Sequence, residues 1–247
     1  MAEERKLEDK DFWDPPALWS GETTYIIGGG PSLKGFDWSH LHDKHVVGCN
    51  DAYLLGDWVD VCVFGDRDWF MLHWKDEVKV NGTAQEGLPK FAGLRVTNLE
   101  SCARIPGLLV CRRRGLGINM RPRQLSWNLN TGGLAINLAA RLGASVIVLL
   151  GFDMKLEEGG KKETCAMCKG SGRWRTQECP ACEGDGIVGE SNFHPNRTPP
   201  GKNVYHKFMG TMPKVKEDAD RLGITVLNAN PDSAMDTFPR VKASSVL

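Results

Sequence analysis

The sequence lacks any long apolar run. No stretch approaches the ~18 apolar residues that a membrane-spanning helix requires. The opening segment, MAEERKLEDKDFWDPP, is charged and holds no apolar core of a signal peptide. We therefore expect a cytoplasmic protein with no membrane span.

An excess of charge of either sign is also missing. The 247 residues include 31 lysines and arginines against 31 acidic residues. This balance argues against a strongly basic nucleic-acid-binding protein and against a polybasic membrane anchor. The dense disulfide framework of a small secreted protein is absent too. Half of the eight cysteines stand alone, and we expect them to be reduced core residues: Cys49, Cys62, Cys102 and Cys111.

Short apolar runs without alternation indicate strands that are buried on both faces of a parallel sheet. Helical patterns lie between some of them, at 131–144 and 206–223, and Pro213 suggests that the regular part of the second helix starts there. Strands that alternate with helices predict a doubly wound, mostly parallel, Rossmann-like α/β fold. The predicted strands are 24–28, 45–49, 61–65, 108–112, 145–151 and 223–228.

A glycine-rich turn follows the first predicted strand, in TTYIIGGGPSLKGFD. Ligands of such folds bind at the carboxyl ends of the strands. Gly28, Gly29 and Gly30 would let phosphates approach backbone N–H groups, and Pro31 suits the first turn of a following helix. The segment is neither a G-x-G-x-x-G fingerprint nor a Walker loop, so a tight structural turn is the alternative.

Two C-x-x-C pairs lie in CAMCKGSGRWRTQECPACEGDG. Four thiolates form the closed tetrahedral shell of structural zinc, which would order a zinc-ribbon-like insertion at 157–200. The α/β domain would then comprise 1–156 and 201–247. Each pair continues as C-x-x-C-x-G-x-G, which resembles the zinc repeats of DnaJ-type chaperones and implies one zinc site but no chaperone activity. A redox pair is the alternative. The predicted ligands are Cys165, Cys168, Cys179 and Cys182.

Four stretches resemble, in order, the bacterial sialyltransferases of glycosyltransferase family 42. They are GGGPSLKGFDWSHL, GCNDAYLLG, NTGGLAINLAARLGASVIVLLGFDM, and a downstream part from YHKFM to KEDADRLGITVLNANPDSAMDTFPRV. They also resemble the related MptE-type domain of archaeal 6-hydroxymethylpterin diphosphokinases, flagellin-modifying factors and many phage-encoded proteins. The resemblance implies a sialyltransferase-like fold and a transferase that uses a nucleotide-sugar donor. A phage-encoded member would act in the host cytoplasm.

The resemblance also implies roles for particular residues. Gly30, Pro31 and Ser32 would line the donor phosphate. Asn50 and Asp51 would face the sugar or base, while Thr131 and Gly132 would close the nucleotide pocket at a helix N-terminus, where anions bind. His206 would deprotonate the acceptor hydroxyl, because an imidazole titrates near neutrality. His194 is the second candidate base.

Two differences from the sialyltransferase pattern leave a second kind of transferase as an alternative. Gly29 replaces an asparagine of the sialyltransferases, and Asp66 follows the third strand as in the MptE-type pattern. An acidic residue there would suit Mg²⁺ and ATP in a diphosphokinase. Asp153, also at a strand end, could share that metal, although both carboxylates could instead be solvated or capping groups.

A non-catalytic, nucleic-acid-binding zinc module is the third alternative. Arginines are dense in CRRRGLGINMRPRQ, and arginine binds phosphate in a bidentate manner. The acceptor, which could be a nucleic acid, the donor sugar and the oligomeric state are left open by the sequence.

Overall fold

The computed structural model describes residues 6–80, 83–155, 162–164, 168–174, 177–179, 187–189 and 202–247. The three α-helices are α1 (Arg67–His73), α2 (Thr131–Arg141) and α3 (Lys202–Leu222). The strands are β1 (Thr23–Ile27), β2 (His45–Cys49), β3 (Val61–Phe64), β4 (Glu77–Val80), β5 (Thr83–Glu86), β6 (Leu94–Thr97), β7 (Leu109–Val110), β8 (Arg112–Arg114), β9 (Gln124–Ser126), β10 (Val146–Leu150), β11 (Lys162–Thr164), β12 (Arg173–Trp174), β13 (Gln177–Glu178), β14 (Ile187–Gly189) and β15 (Thr225–Asn228).

The central sheet has seven strands in the order β15-β10-β1-β2-β3-β6-β7, and every neighbouring pair is parallel. The predicted Rossmann-like α/β fold is therefore confirmed. Six of the seven strands coincide with predicted apolar runs. The seventh strand, β6, is not predicted because Arg95 interrupts its apolar residues. The guanidinium of Arg95 donates a hydrogen bond to the carbonyl of Pro89 (2.8 Å).

The sheet buries apolar side chains on both faces, as expected for parallel strands. Ile26 of β1 points into a core shared with α2 and α3, while its neighbour Ile27 points into a second core that includes Trp69 and Phe70 of α1. Both isoleucines are fully buried. A fully buried side chain of this size contributes about 1.5–3 kcal/mol, so the two cores are the main source of the sheet's stability.

Helix α2 begins and ends close to its predicted limits. The Asn130 side chain caps it by accepting the N–H of Gly133 (2.7 Å). Gly143 follows its end with a φ of 99°, the left-handed conformation that glycine adopts most easily. Its buried side chains pack over β1, β2 and β3.

Helix α3 begins earlier than predicted. It starts at Lys202 and contains Pro213 in its interior, so the expected start at Pro213 is wrong. Proline has no N–H for the preceding turn. Pro213 is exposed, whereas Met212 beside it is fully buried. Packing of the buried face of α3 against α2 therefore stabilises the helix on both sides of Pro213.

Short antiparallel pairs form the described part of the predicted insertion: β11 with β14, and β12 with β13. The boundaries at 157–200 stay a prediction. Within the described residues, no helix has both the length and the apolarity needed to cross a membrane.

Candidate functional site

The topological switch point of the sheet lies between β1 and β10. The chain runs from β1 through β2, β3, β6 and β7 on one side, and it then returns to place β10 and β15 on the other. Ligands of open α/β sheets bind outside the carboxyl ends of the strands at such a point. The segments that follow β1, β2 and β10 therefore define the candidate site.

The glycine turn after β1 lies directly against the segment after β10. Gly28 N–H donates to Leu150 O and Gly30 N–H to Gly151 O, both at 2.8 Å. A Cβ on Gly30 would lie 2.5 Å from Cγ of Asp153, and a Cβ on Gly28 would lie 2.7 Å from Gly151 O. Close approach of two chain segments thus explains these two glycines. Gly29 between them is half-buried.

The carboxylate of Asp153 binds the start of the turn after β1. It accepts the Ser32 N–H (2.7 Å), the Ser32 hydroxyl (2.5 Å) and the side-chain amide of Asn230 (2.7 Å). Pro31 opens the short 3-10 turn that presents this N–H. The sequence predicts a donor phosphate against Gly30, Pro31 and Ser32. In the structure the carboxylate of Asp153 accepts the Ser32 N–H instead. A phosphate would reach that amide only by displacing Asp153.

Asn50 and the start of α2 meet on the other side of the turn. The Thr131 hydroxyl lies 3.4 Å from Asn50 Oδ1, and Asn50 has a left-handed φ of 54°. A Cβ on Gly132 would lie 2.6 Å from the Phe152 ring, and one on Gly28 would lie 3.1 Å from the same ring. Phe152 is therefore the shared wall of the two segments. Sequence reasoning missed it, and its only signal is its position directly after β10.

Asp51 is directed into the protein. Its carboxylate is 4% exposed, accepts the indole N–H of Trp69 and lies 3.5 Å from Nε2 of His73. Nδ1 of His73 lies 3.0 Å from the Tyr53 hydroxyl. Burial raises the pKa of Tyr53, so its hydroxyl stays protonated, and the tautomer of His73 decides which of the two groups donates. Asp51 thus anchors α1 beneath the site, while the predicted contact with a sugar or base stays a prediction.

Asp66 is an exposed cap of α1 and accepts the N–H of Trp69 (2.9 Å). The sheet order separates β3 from β10 by three strand spacings, about 14 Å at ~4.8 Å each. Asp153 is also engaged by Ser32 and Asn230. The two carboxylates thus follow strands that are not neighbours, each already has a partner, and a Mg²⁺ shared by them stays a prediction. Among the described residues, no three His, Cys, Asp or Glu side chains come together as a metal site.

Of the two candidate bases, only His206 lies in the part of the chain that the structure describes. His194 lies outside the described residues. His206 is exposed on α3, which starts at the carboxyl edge of the sheet because it precedes a parallel strand. Thr211 of α3 donates to Asn128 O (3.0 Å), close to the start of α2. His206 lies five residues earlier, about 7.5 Å along the helix axis. It is therefore at the end of the molecule where the candidate site lies.

The loop before α2 carries features that sequence reasoning missed. Asn128 and Leu129 both have left-handed φ values, 52° and 57°, and such strain tends to concentrate at functional sites. The fully buried Asn128 side chain holds the loop by donating to Gly117 O and Gly133 O (3.0 and 3.1 Å). Leu129 remains 52% exposed beside the start of α2.

The arginines of β8 do not form one surface. Arg112 pairs with Asp9 (2.9 Å), whereas Arg113 donates to Gly65 O (2.8 Å) and to Asn98 Oδ1 (3.1 Å) at the ends of β3 and β6. The Arg113 guanidinium lies over the Trp127 ring, and burial lowers its pKa. The alternation of side chains along a strand thus separates residues that are adjacent in the sequence.

Comparison with known proteins shows a likeness of fold. No protein-family model and no curated protein sequence matches the chain. The structure of MAf glycosyltransferase from Magnetospirillum magneticum AMB-1 aligns with a TM-score of 0.55 and 10% identity, over 96% of this chain and 36% of that one. The chain thus spans about a third of the length of that protein.

A second solved structure is the sialyltransferase CstII from Campylobacter jejuni, in complex with the substrate analogue cytidine-5'-monophosphate. It aligns with a TM-score of 0.48 and 14% identity, over 90% of this chain and 85% of that one. The predicted likeness to glycosyltransferases is confirmed at the level of the fold by the MAf structure. The MptE-type relationship and the phage origin stay predictions.

Proposed function

We propose that the protein is a glycosyltransferase that transfers a sugar from a nucleotide-sugar donor to an acceptor hydroxyl. The observation that carries the proposal is the meeting of three segments at the switch point: the turn after β1 and the start of α2 share the Phe152 ring, and Asn50 after β2 contacts Thr131. The fold likeness to a solved glycosyltransferase supports it.

In this proposal the start of α2 binds the donor phosphate. The N–H of Gly133 donates to the side chain of Asn130, and the N–H of Leu134 donates to the backbone carbonyl of Asn130. The N–H groups of Thr131 and Gly132 come before them, at the positive end of the helix. The Thr131 hydroxyl and Asn50 Oδ1 then offer polar contacts to the nucleoside. The turn after β1, held by Asp153, forms the opposite wall.

The proposed reaction is a single displacement. His206 takes the proton of the acceptor hydroxyl, whose oxygen forms a bond to the anomeric carbon. The bond from that carbon to the donor phosphate oxygen breaks, and the nucleotide leaves with the electron pair. The N-terminus of α2 stabilises the negative charge that develops on the phosphate, so positioning and electrostatics supply most of the catalysis.

A thermal-shift screen tests the donor site. CMP, UDP, GDP, ADP and ATP are each added with and without Mg²⁺, because a ligand that binds only the folded state raises the unfolding temperature. We expect stabilisation by at least one of CMP, UDP or GDP without metal. Thr131→Val should reduce the shift, since it removes the hydroxyl beside Asn50. Thr225→Val, on the exposed edge strand β15, should leave the shift unchanged.

Release of the nucleotide from the matching nucleotide sugar tests the base. His206→Ala should keep the thermal shift and lower acceptor-dependent turnover by roughly 10²–10⁴-fold. Full turnover in the variant would remove His206 from this role. Binding of ATP only with Mg²⁺, lost in Asp66→Ala, would replace the proposal by the diphosphokinase. Salt-sensitive DNA binding without any nucleotide shift would replace it by the nucleic-acid module.

A further inference from the structure

The two C-x-x-C pairs are the motif that the proposed transfer reaction does not use. One cysteine of each pair lies in the described part of the chain, and both are buried: Cys168 is 7% exposed and Cys179 is fully buried. Their described neighbours Lys169 and Glu178 are exposed. Two thiols are therefore enclosed within a hydrophilic segment.

The inner strand pair joins the turn after Cys168 to the segment that carries Cys179. In β12 and β13, Arg173 is opposite Glu178. The N–H of Cys179 donates to Gly172 O (2.9 Å), so the second pair starts where the first turn ends. Cys168 O accepts both the N–H and the hydroxyl of Ser171 (3.1 and 2.8 Å), which closes a tight turn after the first pair.

The outer strand pair closes the other end. In β11 and β14, Thr164 is opposite Ile187. Thr164 directly precedes Cys165 and lies nine positions before Arg173, just as Glu178 lies nine positions before Ile187. Each arm reads C-x-x-C-x-G-x-G, and the start of each arm is paired with the end of the other. The described ends of two arms with the same sequence pattern are thus paired with each other.

We infer that Cys165, Cys168, Cys179 and Cys182 bind one structural Zn²⁺ through four thiolates. Cys165 and Cys182 lie outside the described residues and are assigned by the C-x-x-C spacing. Four sulfur ligands in tetrahedral geometry are characteristic of zinc sites with no open position. Two equivalent arms, each with two thiolates at ligand spacing, supply that set.

The lone cysteines have a different chemistry. Burial raises the pKa of Cys111 to about 12, and it raises the pKa of Cys62 well above its usual value. Loss of the thiol proton, which metal ligation requires, therefore costs more free energy at these buried positions. Cys102 is also buried, with its pKa raised by burial, and offers a matched control.

Metal analysis of the reduced full-length chain, purified from zinc-supplemented cells, tests the site. We expect about one zinc ion per chain, lost in Cys168→Ser and Cys179→Ser and retained in Cys102→Ser. Cobalt substitution should give the visible spectrum of a tetrahedral thiolate site. A chain without zinc whose eight thiols are all free, or zinc that persists in Cys179→Ser, would overturn the proposal.

Alkylation of the wild-type chain gives an independent measurement if a variant fails to fold. Peptide mapping with and without a zinc chelator should show that the four paired cysteines gain reactivity together on chelation. Cys49, Cys62, Cys102 and Cys111 should stay protected by burial in the folded core. An unchanged map, or a disulfide between paired cysteines in the freshly isolated chain, would contradict zinc binding and favour a redox role.

Discussion

The α/β framework and the described part of the predicted insertion at 157–200 bury different kinds of side chain. In the framework, apolar side chains such as Ile26, Leu134 and Leu149 are fully buried between sheet and helices. In the insertion, the buried side chains within the described residues are those of Cys168 and Cys179. The residues whose exposure is described there bury no aliphatic or aromatic side chain, and we propose that a zinc ion supplies order there instead. The comparison predicts that one chain combines a hydrophobic core with a metal-dependent unit.

The largest expected effect is a loss of stability in the framework that leaves zinc binding by the insertion unchanged. Leu149→Ala removes a fully buried side chain from the middle of β10. We expect the free energy of unfolding to fall by about 2–5 kcal/mol, measured by urea denaturation at neutral pH. Zinc content per folded chain should stay the same. Leu18→Ala, at a 52% exposed position, should change stability by less than about 0.5 kcal/mol.

A smaller effect concerns the packing of the framework at the candidate site. Gly30→Ala would place a Cβ 2.5 Å from Asp153 Cγ and 2.6 Å from Gly151 O. We expect a loss of about 1–3 kcal/mol, because carbonyl and carboxylate must shift. Gly210→Ala is the control. No atom lies within 4 Å of its Cβ position on α3, so this change should stabilise by about 0.5–1 kcal/mol. Equal effects of the two changes would contradict the close approach of the segments after β1 and β10.

The pH dependence should distinguish the buried thiols of the framework. Burial raises the pKa of Cys111 from 9.0 to about 12. Above about pH 9 the unfolded chain loses this proton and the folded chain keeps it, so stability falls by up to about 1.4 kcal/mol per pH unit. The stabilisation is complete below pH 9 and is lost as the pH rises towards 12.

Urea denaturation between pH 7 and pH 10.5 measures this slope. The slope should be smaller in Cys111→Ala. Val110→Ala, at the buried neighbouring position, should keep the full slope. Identical slopes in wild type and Cys111→Ala would refute the role of this thiol. The proposed zinc site should behave in the opposite way and lose its metal on acidification, because protons compete for thiolates.

Most of the sheet could be predicted because the signal is local. Strands buried on both faces need continuous apolar residues, and six segments satisfy this condition along the chain. The signal fails at β6, where Arg95 stands inside the strand. At α3 the sequence predicts a start at Pro213, although the helix continues through this proline because its buried face packs around Met212.

The candidate site was predictable only in part. The glycines after β1, Asn50 and the start of α2 were singled out, and the structure does bring them together. The partners of their side chains were not predictable. The sequence predicts Asp153 at a nucleotide or a metal, whereas its carboxylate accepts hydrogen bonds from Ser32. It predicts Asp51 at a ligand, whereas this carboxylate contacts Trp69 and His73.

The sequence by itself determined six of the seven strands of the central sheet, the start of α2 and the spacing of the paired cysteines, because each depends on residues that are close in the chain. Only the tertiary structure decided which carboxylate meets which amide. Asp153 and Ser32 are 121 residues apart, and they meet because β10 pairs with β1. The order of strands depends on how the whole sheet buries its two faces, and local pattern does not encode that order.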